Sequence, residues 1–214
     1  MVAETKICGL TRPEDAAAAV AAGARYLGVV YAGGPRRIDD AAARAVVAAA
    51  EDVPVLGVFG TQSVAEILRI AARVGLSGAQ LHGRYREVAA AELRRAGLLV
   101  WRVARVGSIE ELDDVAALAC EADALLVEPR VPHALGGAGV PLALALGIEA
   151  RRRLTGIRLV LAGGLTPETV GEAVALVRPD VVDVSSGVES RPGIKDPSRI
   201  AQFLEAVVGH HADP

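Results

Sequence analysis

The sequence predicts an α/β fold, a single-domain (β/α)8 TIM barrel, and three observations favour it. The chain has 214 residues, a length that suits one large domain. Eight short apolar runs rich in β-branched residues recur along it, and such nearly continuous runs are typical of strands buried on both faces of a parallel sheet. Ala-rich segments with helical spacing separate the runs, so strands and helices alternate from end to end. An open doubly wound sheet has the same alternation and is the alternative fold.

The strands and helices can be assigned in chain order. The strand candidates are TKICG, YLGVVY, VPVLGVF, GAQLHG, LLVWRVARV, ADALLVEP, IRLVLAGG and PDVVDVSSG. The helix candidates between them include DAAAAVAAGA, AAARAVVAAAED, SVAEILRIAARVG and VAAAELRRAG. No linker or low-complexity stretch divides the chain, so the barrel is predicted to span residues 1–208. A polar C-terminal tail is predicted at 209–214.

Capping signals predict where several helices begin and end. Three hydroxyl–carboxylate pairs have the spacing of a capping box, in which each side chain satisfies a free amide of the first turn. They are Thr11–Glu14, Ser63–Glu66 and Ser108–Glu111. Pro167 is predicted just inside a later helix, where its missing N–H costs least. Gly75 and Gly97 follow predicted helices and are expected to act as C-terminal caps.

Composition limits the classes of partner and compartment. The chain is 52% hydrophobic but only 3% aromatic, so its core is predicted to consist of Ala, Val, Leu and Ile. A net charge of −3 gives no sign of the basic face that nucleic-acid readers carry. No apolar run approaches the ~18 residues of a membrane span, and the N-terminus lacks the pattern of a signal peptide. Two separated cysteines, Cys8 and Cys120, fit a reducing compartment. We therefore expect a cytoplasmic protein that binds neither nucleic acid nor membrane.

Polar residues stand at the ends of many predicted strands, where a (β/α)8 barrel carries its site. Cys8 ends the first strand and is followed by Gly9, whereas Cys120 lies in a helical stretch and is predicted to be a small buried hydrophobe. The other strand-end residues are the GGPRR loop at 33–37, Gln80, His82, Glu128, Gly163, Gly164, Asp183, Ser185 and Ser186.

The strand-end residues leave alternatives open. Glu128 fits either a solvated loop carboxylate or an acid that faces into the barrel, and His82 fits either a ligand contact or a hydrogen bond to a neighbouring loop. Arg36 fits a surface charge, although the Gly-Gly-Pro ahead of it favours a rigid turn. Lys6 is costly to bury without a partner, and Asp183 faces inward by strand alternation, so the two are predicted to pair.

Two late glycine-rich segments, LAGGLTPETV and DVSSGVESRPG, predict a phosphate site. Small residues let backbone N–H groups approach an anion, hydroxyls add donors, and the last two βα loops are where such barrels often hold phosphate. A third cluster, GGAG at 136–139, is predicted to close over the ligand. The predicted ligand-binding residues of these loops are Gly137, Gly139, Gly163, Gly164, Ser185, Ser186 and Gly187.

Seven motifs, in this order and spacing, resemble the phosphoribosylanthranilate isomerase family of tryptophan biosynthesis. They are KICGLTRPEDA, PRRI, GVFG, AQLHG, GGAG, LAGGLTPETV and DVSSGVESRPGIKD. The resemblance runs from about residue 5 to residue 205. It implies an aldose–ketose isomerase on a (β/α)8 barrel, without cofactor or metal. The expected reaction is an Amadori rearrangement of a small phosphorylated substrate.

The resemblance also assigns roles. Cys8 matches the family's general base. Strand alternation, and not the resemblance, makes Lys6 the candidate cation that favours the thiolate. Arg36 matches the arginine that holds the anthranilate carboxylate, a planar acceptor suited to a guanidinium fork. Glu128 stands where the family has an aspartate as general acid. His82 and Asp183 are expected to contact the substrate.

Several departures from the family pattern keep other functions open. Alanine replaces a hydroxyl residue in GGAG, VPLALALG replaces the aromatic residues that usually follow, and Gly34 replaces a serine. One alternative is a related phosphosugar isomerase or epimerase with an altered substrate. Another is a non-catalytic barrel that binds a phosphorylated ligand. A monomer and a homodimer both agree with the sequence.

Overall fold

The computed structural model describes residues 2–113, 115–131 and 139–209, and its centre is a closed barrel of eight parallel strands in chain order. The strands are β1 Glu4–Ile7, β2 Tyr26–Val30, β3 Val55–Phe59, β4 Gly78–Leu81, β5 Leu99–Val106, β6 Ala124–Pro129, β7 Arg158–Leu161 and β8 Val181–Val184. Each falls within a strand candidate or within a residue or two of it. The (β/α)8 prediction is confirmed, and the open sheet is excluded because β8 pairs with β1.

Helices follow the strands and pack around the barrel. They are α1 Pro13–Ala21, α2 Asp40–Ala49, α3 Val64–Val74, α4 Glu87–Arg95, α5 Val115–Leu118, α6 Leu144–Arg153, α7 Val170–Val177 and α8 Pro197–Gly209. Short 3-10 turns lie at Glu110–Asp113 and Ser186–Val188. A small antiparallel hairpin, β9 Glu189–Arg191 and β10 Ile194–Lys195, is inserted between β8 and α8. Gly209, the first residue of the predicted tail, ends α8, and 210–214 lie outside the described residues.

The core has two parts, as a barrel requires. Inside the barrel, Leu56, Leu126 and Val160 pack with Trp101, whose ring meets Tyr26 edge-on at a centroid distance of 5.0 Å. Outside it, aliphatic side chains fill the space between the strands and the helices. Branched aliphatic residues from alternating strand positions therefore fill the lower interior, and the upper interior is left to polar side chains.

One of the three predicted capping boxes forms. The Ser63 hydroxyl accepts a hydrogen bond from the Glu66 amide, and the Glu66 carboxylate accepts one from the Ser63 amide. Gly75 then ends α3 in the left-handed region, at φ +86°. Gly97 follows α4 at φ +87°. Both glycines therefore occupy the conformation that C-terminal caps need.

The other helix-start predictions are wrong. Thr11 donates to the carbonyl of Gly193 at 2.5 Å, so α1 begins instead at Pro13 after an uncapped Arg12. Glu111 accepts from the Gly107 amide at 2.6 Å, at the start of a 3-10 turn. Pro167 lies ahead of α7, which begins after Thr169. In the first two cases a tertiary or loop contact takes the group that local spacing assigned to a cap.

Cys120 is exposed, which corrects the prediction that it is buried, because it lies beyond the end of the short helix α5. Among the described residues, no helix has both the length and the apolar character needed to cross a membrane.

Candidate functional site

A cavity of about 390 Å³ opens at the carboxyl ends of the barrel strands. The side chains that line it come from both halves of the chain and include Cys8, Arg36, His82, Glu128, Asp183 and Ser185. An adjoining pocket shares Glu128, Asp183 and Ser185 with it and is otherwise lined in part by Gly139, Gly163, Gly164 and Ser186. The structure thus brings together at one end of the barrel most of the residues that the sequence singled out.

Lys6 is the most deeply buried charge beneath this cavity. Its ammonium donates to Asp183 Oδ1 at 2.9 Å and to Gln80 Oε1 at 2.9 Å, and it lies 5.5 Å from the centre of the Trp101 ring. Parallel pairing of β1 with β8 places Lys6 directly opposite Asp183, which confirms the predicted pair. Burial alone would lower the pKa of Lys6, but the Asp183 carboxylate and Cys8 outweigh it and raise that pKa.

Cys8 follows β1, and its buried thiol lines the cavity beside Lys6. Burial raises the pKa of the Cys8 thiol, because the thiolate loses its hydration, and the Lys6 ammonium offsets this only in part. Lys6 therefore lowers the pKa of the thiol, as expected, but by less than burial raises it. Gly28 on β2 leaves the room that both side chains need. A Cβ on Gly28 would lie 2.9 Å from Cys8 Sγ and 3.1 Å from Lys6 Nζ.

Glu128 is the next-to-last residue of β6 and faces into the barrel, so the inward alternative is confirmed. Its Oε1 accepts a hydrogen bond from Arg105 Nε at 3.1 Å and lies 3.0 Å from His82 Nε2. Arg105 also donates through Nη2 to the carbonyl of His82 at 2.9 Å. Arg105 on β5 therefore holds this oxygen of the carboxylate by a hydrogen bond, and the His82 ring, just after β4, lies against the same oxygen.

Arg36 lies in the loop after β2, and its guanidinium is held by the hairpin that follows β8. Nε and Nη2 each donate to one carboxylate oxygen of Glu189, both at 2.8 Å. The Lys195 ammonium donates to Glu189 Oε1 at 2.9 Å and to the carbonyl of Ser185 at 3.0 Å. The Lys195 amide in turn donates to Asp15, so the hairpin is fastened to α1.

The charges of this cluster stabilise one another. The hydrogen bond to Glu189 raises the pKa of Arg36. Burial acts to raise the pKa of Glu189, but Arg36 and Lys195 outweigh it, so that pKa is lowered and the carboxylate stays ionised. Burial lowers the pKa of Lys195, and Glu189 counteracts part of that shift. A buried carboxylate between two cations keeps the Arg36 fork fixed at the cavity rim.

Close packing explains why glycine occupies several positions in the last two βα loops. Gly163 and Gly164 have φ of +102° and +62°, and a Cβ on Gly163 would lie 2.2 Å from Pro129 Cδ. A Cβ on Gly187 would lie 1.9 Å from the Leu165 carbonyl oxygen. Gly187 is therefore a close-packing position between the last two βα loops and, in the described structure, lines neither pocket. Gly137 lies outside the described residues.

Sequence reasoning missed three charged residues of the site. Arg105 shares the inward face of β5 with Trp101 and Val103, so strand alternation could have shown it. Glu189 and Lys195 lie in a hairpin of only a few residues, and their side chains are buried against parts of the chain distant in sequence. No group of three or more His, Cys, Asp or Glu side chains in the described part of the chain is arranged to hold a metal ion.

Known proteins of one family match this chain over nearly its whole length. The family model described as N-(5'phosphoribosyl)anthranilate (PRA) isomerase matches residues 5–206. The N-(5'-phosphoribosyl)anthranilate isomerase of Neisseria meningitidis serogroup C is 40% identical over 202 residues, which are 94% of this chain and 94% of that protein.

Solved structures show the same likeness. The structure of phosphoribosyl anthranilate isomerase from Thermotoga maritima superposes with a TM-score of 0.87 at 32% identity, covering 97% of this chain and 99% of that one. A phosphoribosyl anthranilate isomerase in complex with reduced 1-(o-carboxyphenylamino)-1-deoxyribulose 5-phosphate superposes with a TM-score of 0.82 at 31% identity, covering 97% and 99%.

Proposed function

The chain belongs to the N-(5'-phosphoribosyl)anthranilate isomerase family, and from this premise we propose that it converts N-(5-phosphoribosyl)anthranilate to 1-(2-carboxyphenylamino)-1-deoxyribulose 5-phosphate. One observation carries the assignment to these residues. Cys8, Glu128 and Arg36 line one cavity at the carboxyl ends of the strands. A base, an acid and a carboxylate receptor are what this rearrangement needs, and the proposal requires no cofactor.

The first step opens the furanose ring. Glu128 as general acid gives its proton to the ring oxygen, the bond from C1 to that oxygen breaks, and the nitrogen lone pair forms the C1=N bond of a Schiff base. The family residue at this place is an aspartate, and glutamate has similar acidity with one more methylene. Contacts from Arg105 and His82 at 3.1 and 3.0 Å support a fixed position for this longer side chain.

The second step removes the proton from C2. Cys8 as general base takes that proton, the C–H electron pair forms the C1=C2 bond, and the C1=N π electrons return to nitrogen to give an enolamine. The enolamine then gains a proton at C1 and loses one from the C2 oxygen, which yields the ketone. Burial raises the pKa of the Cys8 thiol. The positive charge of the Schiff base forms next to the thiol and favours its ionisation at the moment when a base is needed.

The remaining contacts orient the substrate. Arg36, held by Glu189, supplies a fork of donors for the anthranilate carboxylate. The phosphate group is assigned to the pocket of Gly139, Gly163, Gly164 and Ser186, where the three glycines, all at positive φ, have no side chain between their backbone N–H groups and an anion. His82 and Asp183 are assigned to the sugar between these two ends.

We extend the proposal to location. A small phosphorylated metabolite is the substrate, and the two free cysteines, Cys8 and Cys120, suit the reducing cytoplasm. The barrel is proposed to act as one domain over 1–208.

The experiment is a fluorescence assay with freshly generated phosphoribosylanthranilate. Purified protein should accelerate the loss of the substrate's fluorescence well above the buffer rate, and mass spectrometry should show a product of unchanged mass that carries a ketone. Folded protein that gives no turnover would reject the function. Thermal stabilisation by another phosphorylated aminosugar, without stabilisation by the product analogue, would favour the altered-substrate alternative instead.

A further inference from the structure

We infer that a directional series of polar contacts, from Lys6 through Gln80 and His82, determines which oxygen of Glu128 carries the proton of the general acid. The catalytic consequence rests on the proposed function, whereas the direction of these contacts rests on the geometry alone. His82 is in this view a positioning residue that acts through Glu128.

The direction of these contacts is set first at Lys6. An ammonium group has three donors and no acceptor, so the atom of Gln80 that lies 2.9 Å from Lys6 Nζ must be the amide oxygen. The amide nitrogen of Gln80 is thereby turned to the other side, where it lies 3.5 Å from His82 Nδ1. An amide nitrogen only donates, so Nδ1 of His82 has to be the acceptor of this long contact.

This assignment fixes the tautomer of His82. With Nδ1 as acceptor, the neutral ring carries its hydrogen on Nε2, since a charged imidazolium would point a second N–H at the amide hydrogens of Gln80. The His82 side chain is buried, and its Nε2 lies 3.0 Å from Glu128 Oε1. The contact is close, but the ring N–H is not aligned with Oε1 as in a hydrogen bond, and Nε2 has no hydrogen-bond partner in the described structure.

The proton of Glu128 follows from the count of donors. Arg105 Nε donates to the same oxygen, Oε1, at 3.1 Å, so two nitrogens that carry hydrogen lie within 3.1 Å of it. A hydrogen on Oε1 would face both of them, whereas Oε2 receives no donor from the described residues. The acid therefore keeps its proton on Oε2, and Oε1 acts only as an acceptor. Because the series of contacts starts at Lys6, which also contacts Cys8, the surroundings of the base determine the geometry of the acid.

The direction of these contacts can be tested without substrate. Protein with ¹⁵N-labelled histidine is examined by NMR, and the His82 signals are assigned by their loss in His82→Asn. We expect an unprotonated shift for Nδ1 and a protonated shift for Nε2. In Gln80→Glu a carboxylate oxygen replaces the donor, so Nδ1 should become protonated. Protonated Nδ1 in the unaltered protein, as tautomer or imidazolium, would overturn the inference.

The role of His82 is tested by two amides of different reach. The amide nitrogen of His82→Gln falls near the place of Nε2 and keeps a donor for Glu128, whereas His82→Asn mimics only Nδ1. We expect kcat within about 3-fold of the parent for His82→Gln and about 10- to 100-fold lower for His82→Asn, with KM little changed, because the lost donor faces the carboxylate that forms when Glu128 gives up its proton. Equal losses in both would overturn the positioning role. If the unaltered protein shows no turnover at all, the proposed function fails, and the NMR result still decides the direction of these contacts.

Discussion

Glu189 holds the guanidinium of Arg36 with both carboxylate oxygens, at 2.8 Å from Nε and 2.8 Å from Nη2. The two residues are 153 positions apart in the chain, and Glu189 is almost fully buried. Bidentate pairs of this kind fix the plane of the guanidinium as well as its position. The carboxylate receptor of the proposed site is thus aimed by a residue that belongs to the hairpin after β8.

Glu189→Gln should weaken substrate binding more than chemistry. An amide accepts with one atom only, so Arg36 loses one arm of its fork and Lys195 loses its charged partner. We expect KM to rise about 10-fold, equivalent to ~1.4 kcal/mol, with a smaller change in kcat. The control is Glu168→Gln, whose exposed pair with Arg199 should contribute little. Equal KM values for both variants would contradict the aiming role of Glu189.

Cys8→Ser should abolish most turnover while leaving the fold intact. A hydroxyl in place of the thiol is far less acidic and is a poor base, so kcat should fall by about 10²- to 10⁴-fold. Cys120→Ser changes the same atom at an exposed site outside the cavity and should keep the parent rate. Steady-state fluorescence assays of both variants, with circular dichroism to verify folding, decide the matter. A Cys8→Ser protein at full activity would remove Cys8 from the mechanism.

The raised pKa of the Cys8 thiol predicts a pH-dependent difference in stability. Because the folded pKa lies above the unfolded one, the contribution is fully present below the unfolded value. It is lost as pH rises from about 8.5 through the folded pKa. The free energy of unfolding of the parent should therefore fall more steeply above this pH than that of Cys8→Ser. Urea titrations at several alkaline pH values measure the slopes, and identical slopes would show that the thiol is not buried.

Glu128→Gln should remove the acid without changing its shape, and kcat should fall by about 10²- to 10⁴-fold. Glu128→Asp restores the family's residue type but withdraws the carboxylate from Arg105 and His82. A displacement of about 1 Å costs on the order of 100-fold, so we expect Glu128→Asp to be slower than the parent. An aspartate variant that exceeds the parent rate would show that the longer side chain is a defect rather than an adaptation.

Gly28→Ala tests the crowding beside the base. The added Cβ would meet Cys8 Sγ at 2.9 Å, so the thiol has to move. We expect kcat to fall at least 10-fold and stability to fall by about 1–3 kcal/mol, as for other overpacked interiors. Gly209→Ala is the control, because a Cβ there would meet nothing within 4 Å, and it should change neither kcat nor stability. Unchanged kinetics in Gly28→Ala would mean that the position of the thiol is not critical.

The fold was predictable because its signals are local and repeated. Each buried strand is an apolar run, and alternation with helices fixes the layer order, so strand ends such as those of Cys8 and Glu128 could be placed. Helix starts were less predictable, because the Thr11 hydroxyl bonds to Gly193 rather than to its own helix. A capping pattern describes what a side chain can reach locally, and a hydrogen bond to a distant carbonyl can turn the same hydroxyl away from its own helix.

The partners of the site residues were only partly predictable. Lys6 and Asp183 could be paired because strand alternation and barrel closure both act on them. The pair of Arg36 and Glu189 joins two loops whose mutual position depends on the whole barrel, and no local pattern encodes that distance. Burial of Cys8 likewise emerges only when its neighbours are in place, and the net rise in its pKa depends on that burial.

The hairpin that carries Glu189 and Lys195 has a consequence for how the protein is made. During synthesis Arg36 and Asp15 leave the ribosome long before their partners, since Glu189 follows Arg36 by 153 residues and Lys195 follows Asp15 by 180. A nascent chain that lacks the hairpin cannot yet form the ion pair of Arg36 with Glu189 or the hydrogen bond that links Lys195 to Asp15 on α1. The end of the site that we propose to receive the substrate's carboxylate is therefore completed last, and on this proposal the growing chain cannot sequester the metabolite before almost all of the barrel has been translated.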